Sequence, residues 1–191
     1  MREVFQMELQ EVQTRLVDIA ETVTNVIEDA TKAFNESDAR LAERAIALAE
    51  SNENKALDLD ELVIKILARQ SPVARDLRIL VSALRISASL ERMGALAGHI
   101  AAIAKFRYPG SAVPAPLKGT FAEMGKLDVE LAHKVTELLR NTNVDQARAI
   151  QAQDQRVDEL HRHVFDVVLA DDWKENAMFT VDVTLASRYH E

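Results

Sequence analysis

Asp154 and Asp158 stand four residues apart, so on a helix both carboxylates leave one face, separated by about 6 Å of rise. Such a pair can hold a hard or borderline cation when another helix adds oxygens. The competing reading is a solvated acidic face. His161 follows Asp158 by three positions, and His163 lies two beyond. An acid with histidine at i+3 is the unit that di-iron bundles use in duplicate, joined by glutamates from two more helices. Only one such unit occurs here, so a metal-dependent enzyme in a ferritin-like bundle is the alternative reading, and His161 reads more simply as a surface histidine. Arg78, Arg85 and Arg92 recur at intervals of seven, which sets three guanidinium groups along one helical face. They can receive a phosphate or an acidic partner, or they can pair with Glu50, Glu53, Asp58 and Glu61 on a neighbouring helix; the usual alternation of charge on bundle surfaces favours the pairing. No nucleophile elbow, phosphate loop, zinc-ligand set or dinucleotide fingerprint is present, and the sequence names no catalytic residue.

The elements that must position these groups are all helical. From Leu9 the apolar residues Val12, Leu16, Ile19, Val23, Val26, Ile27, Ala30 and Phe34 recur at spacings of three and four, which predicts a first helix to about Phe34. Asn35-Glu36-Ser37-Asp38 supplies a break and an N-cap, and a second helix follows to about Gln70. Ser71-Pro72 predicts a third helix with serine as its N-cap and proline at the first helical position, running to about Tyr108. The stretch that follows holds Pro109, Pro114, Pro116, Gly110 and Gly119, and is expected to be a linker over 109–119. Phe121 to Arg140 and Val144 to Ala170 then repeat the pattern around a break at Asn141-Thr142-Asn143, and a last helix follows Asp171-Asp172-Trp173-Lys174.

Composition agrees with this reading. The chain is 48% hydrophobic and 5% aromatic, with five glycines and four prolines, a balance that suits helical bundles. A net charge of -8 argues against a general nucleic-acid binder, which needs a basic surface. With no cysteine there is neither disulfide nor thiolate chemistry. The N-terminus lacks the apolar core of a secretion signal and no segment approaches the ~20 apolar residues of a membrane span, so the expected location is cytoplasmic.

The order of elements starts again after the linker, and Arg44-Ala45-Ile46-Ala47-Leu48-Ala49-Glu50 lines up with Arg148-Ala149-Ile150-Gln151-Ala152-Gln153-Asp154. The expected fold is therefore all-α: two tandem three-helix bundles, residues 1–108 and 120–191, made of six long helices with the last cut short at Glu191. Such a shortened helix is expected to leave Val181, Val183 and Leu185 without cover. Laid over the second repeat, the first places Glu50 at the position of Asp154 but Asn54 at that of Asp158, so a cation site there has lost a charge.

Gln70-Ser71-Pro72-Val73-Ala74-Arg75-Asp76-Leu77-Arg78, followed by Leu90-Glu91-Arg92-Met93-Gly94, resembles the start and middle of helix three in the PhoU family, and the resemblance extends over essentially the whole chain. It implies a phosphate-signalling regulator rather than an enzyme. The implied role is a cytoplasmic adaptor between the ATPase of a phosphate ABC transporter and a sensor histidine kinase, holding phosphate-starvation genes off when phosphate is plentiful. Such a protein would be a homodimer, in peripheral association with a membrane complex and without nucleic acid. The family's metal signature is Glu or Asp followed four residues later by Asp. Asp154 and Asp158 match it in full, Glu50 and Glu91 match only its first member because Asn54 and Ala95 replace the second, and Glu191 resembles the opening glutamate of a fourth copy. Divalent or iron/zinc-type ions are thus expected in the second half and weakly or not at all in the first. Arg78, Arg85 and Arg92 are the expected partner-binding residues.

Overall fold

The computed structural model describes residues 2–70, 72–141 and 143–191. Among these residues six α-helices follow one another: α1 (Arg2–Glu36), α2 (Ala39–Gln70), α3 (Ala74–Arg107), α4 (Lys118–Asn141), α5 (Val144–Val168) and α6 (Ala177–His190), with a short 3-10 turn, Ala115–Leu117, leading into α4. The chain is thus all-helical, as the periodicity predicts. The predicted first helix is extended toward the N-terminus, and the linker closes at Leu117.

The helix starts follow from side-chain chemistry. Asp38 Oδ1 accepts the N–H groups of Arg40 and Leu41 at 2.9 and 3.1 Å, Asn143 Oδ1 accepts those of Asp145 and Gln146 at 2.9 and 3.3 Å, and Asn176 Oδ1 that of Phe179 at 3.0 Å; each satisfies donors that a first turn leaves orphaned. The start of α3 departs from the Ser71-Pro72 reading. Ser71 lies outside the described residues, but α3 begins at Ala74 with extended Val73 as the flanking residue and, among the described residues, no side-chain cap. Pro72 therefore precedes the helix instead of opening it, because its fixed φ suits extended backbone as well as a first turn.

In the first unit α1, α2 and α3 pack antiparallel in turn. Lys55 reaches Asp18 at 2.8 Å, Arg69 reaches Glu8 at 3.2 Å and Lys105 reaches Glu43 at 3.2 Å. Gly98 lets α3 approach α2 closely, since a β-carbon there would lie 3.1 Å from that of Ala49. In the second unit α4 and α5 pair, with Arg156 against Glu123 at 2.9 Å.

The two units are joined through α1, whose opposite face takes α4. Gly125 approaches Thr31 so closely that a β-carbon would meet the threonine Cβ at 3.0 Å. Thr24 and Thr136 share a buried hydroxyl hydrogen bond of 3.1 Å, and the Phe34 and Phe121 rings meet edge to face at 5.2 Å. Val23, Val26, Ala30, Ala33 and Phe34 are all sealed from solvent, and one continuous apolar cluster runs from Val12 to Ala186.

The short α6 lies antiparallel to the second half of α3, tied there by the Arg107–Asp182 ion pair and by Tyr189 against His99 at 5.2 Å. The first half of α3 therefore faces a groove of about 530 Å³ bordered by α1 and α4, with Ile79 and Ile86 in its wall. Of the apolar trio expected to lack cover, Val181 and Leu185 are exposed but Val183 is fully buried, because it sits on the stripe of α6 that meets the core.

Candidate functional site

The second unit gathers acids from three helices. Asp128 of α4, Asp154 of α5, and His190 and Glu191 at the end of α6 line a cavity of about 240 Å³, walled otherwise by apolar groups including Ile27, Met93, Leu131 and Tyr189. The Asp154 carboxyl is pushed above the ordinary carboxylate range. The largest cause is water lost on its cavity side, followed by repulsion from Asp158, Asp128 and Glu191. The sequence-predicted trio of Asp154, Asp158 and Glu191 is thus brought within electrostatic reach, with Asp128 added.

Two of these acids already hold partners. His190, with a side chain 0% exposed, bonds through Nδ1 to Asp128 Oδ2, close to the rings of Phe121 and Phe34 at 5.7 and 6.4 Å, while its Nε2 finds no hydrogen-bond partner among the described residues. Glu191 takes the guanidinium of Arg188 and lies 3.3 Å from His161 Nε2. His161 Nδ1 meets Ser187 Oγ at 3.1 Å. His161 is consequently a half-buried link between α5 and α6 and not the surface histidine its position suggests, because α6 packs over that turn of α5. His163 is exposed.

In donor type the set fits a hard or borderline cation: several carboxylates lie close enough to repel one another, a repulsion that a bound cation relieves. In arrangement it is not closed. Among the described residues no three acidic or histidine side chains converge on one point, and Asp128 and Glu191 each have one carboxylate oxygen engaged, by His190 and Arg188.

The first unit has a counterpart. Glu50, Glu53, Glu91 and His99 line a cavity of about 270 Å³ between α2 and α3, with Ala95 in its wall. Asn54 turns back along its own helix, donating from Nδ2 to the Glu50 carbonyl at 3.2 Å. Glu53 and His99 join the half-signature residues Glu50 and Glu91, and the spacing of Glu53 three residues after Glu50 was the available signal. Asp128 and His190 had none, for they meet across 62 positions of sequence.

The arginine stripe differs from its expected environment. Arg78, Arg85 and Arg92 are exposed on the outer face of α3, and among the described residues none of them forms an ion pair. Asp58 instead gives its carbonyl to Arg15, and Glu61 pairs with Lys65. The rotation of α3 turns the stripe outward, away from the acids of α2.

Fold and site together define a class: a tandem three-helix-repeat protein with an acid-lined cavity in each repeat and a cationic outer helix face. Comparison with known proteins narrows it. The PhoU domain model matches residues 16–104 and 121–191, and the chain belongs to the PhoU family. It is 39% identical over 191 residues to the phosphate-specific transport system accessory protein PhoU homolog 2 of Mycobacterium tuberculosis, covering all of this chain and 90% of that protein. It is 37% identical to PhoU homolog 1 of Mycobacterium leprae, of which it covers 86%. Among solved structures, PhoU from Pseudomonas aeruginosa superposes with a TM-score of 0.87 at 22% identity, over 97% of this chain and 90% of that one. The Streptococcus pneumoniae phosphate transport system regulatory protein PhoU gives 0.84 at 18% identity, over 97% and 87%. These two share the fold.

Proposed function

We propose that this chain is an accessory regulator of phosphate uptake. In this reading it is a cytoplasmic adaptor between the ATPase of a phosphate ABC transporter and a sensor histidine kinase, and it keeps phosphate-starvation genes silent at high phosphate. The observation that carries the reading is kinship along the entire chain with proteins named as phosphate-specific transport system accessory proteins. The unpaired arginines of α3 support it as a contact surface, and no helix among the described residues is long and apolar enough to cross a membrane, which suits peripheral association. The protein acts through surfaces, as a homodimer, and not as an enzyme. Deleting the gene tests the role: expression of phosphate-starvation genes at high phosphate is expected to rise and to fall again on complementation. Unchanged expression in the deletion strain refutes the adaptor reading.

The crowding of Asp154 by Asp158, Asp128 and Glu191 supports a second element of the proposal, a divalent or iron/zinc-type cation held in the second unit by Asp154, Asp158 and Glu191. The first unit, with Asn54 and Ala95 in place of two acids, binds more weakly through Glu50 and Glu91, since cation affinity follows the count of charged oxygens. Metal titration of the purified protein against Asp154→Ala/Asp158→Ala checks this. Equal stoichiometry in both proteins eliminates the site.

A further inference from the structure

The outer face of α3 carries more order than three arginines. Arg78, Val81, Arg85, Ala88, Arg92 and Ala95 follow one another at steps of three and four, so a cation and a small or apolar residue alternate along one line of the helix, each type recurring every seven residues. All but the half-buried Ala95 are exposed, Val81 to 38%. Between Val81 and Arg92 no other element of the described structure covers this line; Arg78 borders the groove beside α1 and α4, and Ala95 marks where the line runs into the cavity between α2 and α3. The packed side of α3 is the one where Leu80, Ala83, Ser87 and Leu90 are buried, and α6 lies against Arg107 and the His99 turn. The three guanidinium groups have no acidic partner among the described residues, in a chain of net charge -8.

A seven-residue repeat is the geometry by which one helix lies along another at a shallow angle, with small residues at the seam letting the backbones come close. Cations at the alternate positions select what lies there, because arginine takes a carboxylate through two parallel hydrogen bonds. We infer that this face of α3 docks an acidic amphipathic helix from a partner protein, its carboxylates spaced by seven residues to meet Arg78, Arg85 and Arg92. The span from the first to the last of these arginines is about 21 Å of helix, so three heptads of partner suffice. The inference rests on the adaptor reading, to which it adds the chemistry of the partner. A flat anionic membrane is the less suitable occupant, since it makes no use of the small residues set between the cations and meets a chain of negative net charge.

The test uses the full chain and a helix-stapled 21-residue peptide with glutamate every seventh position beside an alanine and leucine seam. The controls are a peptide of the same composition with the glutamates moved out of register, and phosphatidylglycerol vesicles. Fluorescence anisotropy is expected to show saturable binding of the in-register peptide, weakened at least tenfold by Arg85→Glu, which removes the charge match, and by Ala88→Trp, which blocks close approach while keeping every arginine. Both positions are exposed, and circular dichroism melting verifies that each variant folds. Absence of peptide binding, equal binding of the out-of-register peptide, or indifference to Ala88→Trp overturns the inference, as does vesicle binding that depends on the arginines when the peptide does not bind. The two readings fail separately: a derepressed deletion strain with no peptide binding leaves the adaptor and removes this docking mode, whereas peptide binding with unchanged gene expression does the reverse.

Discussion

Replacing Phe121 with alanine addresses whether the two repeats behave as one cooperative body. The ring is fully buried, meets Phe34 of the first unit edge to face at 5.2 Å, and lies 5.7 Å from His190. Removing a buried phenylalanine costs about 3–5 kcal/mol in transfer and cavity terms, and for a chain of this size each kcal/mol moves the melting temperature by about 2–4 °C. The expected loss is therefore about 6–20 °C. Because the apolar cluster is continuous through α1 and α4, the loss should displace one transition. Trp173, the single tryptophan, reports the second unit through fluorescence, its indole N–H bonded to Thr180 at 2.9 Å, while far-ultraviolet circular dichroism reports both units. Coincident melting curves in wild type and in Phe121→Ala are expected, with a coupling of about 0.5–1.5 kcal/mol in a Phe34→Leu/Phe121→Leu cycle. Tryptophan melting that falls alone, leaving a helical transition at the wild-type temperature, would falsify the shared-core argument.

Other perturbations have defined outcomes. Burial raises the Asp60 carboxyl above its ordinary value of 3.8, and its Oδ1 lacks a hydrogen-bond partner among the described residues. The protonated acid thus favours the fold at low pH, and this support is lost as the pH rises through the raised value; Asp60→Asn should melt higher than wild type at pH 7, with the gain shrinking as pH falls toward 4, and a pH-independent difference counts against the assignment. Gly125→Val should destabilise the protein by about 1–3 kcal/mol in chemical denaturation, since the β-carbon meets Thr31 at 3.0 Å. Asn143→Ala, which strips the cap of α5, should cost about 0.5–2 kcal/mol. Asp182→Ala leaves the partly buried Arg107 without its anion and should free α6 from α3, seen as faster amide exchange in 177–190 with α1 protected as before.

Much of the architecture was legible because amphipathic periodicity is a local property: the line from Val12 to Phe34 announces α1, and Asp38 announces α2. What that line did not announce is that α1 is buried on two faces. Thr24 and Thr31 bond carbonyls of their own helix through their hydroxyls and sit in the contact with α4. Asp154 and Asp158 were visible as a pair because one helix carries both. Asp128 and His190 became neighbours only through tertiary packing. The arginine stripe was legible as a stripe, but which way it faces depends on the rotation of α3, which sequence spacing leaves open.

The double-sided burial of α1 also bears on how the chain is made. Synthesis proceeds toward the C-terminus, so α1 emerges before the helices that cover it, with both apolar faces bare. One is covered once α2 and α3 have followed; the other waits for residues 118–141. At about 5–20 residues per second, the roughly hundred residues between the end of α1 and the end of α4 take on the order of 5–20 s to appear. Throughout that interval the side of α1 that carries Thr24, Ile27 and Thr31 stays bare, even after α3 completes the first unit, a surface open to chaperones and to the same helix of a neighbouring nascent chain.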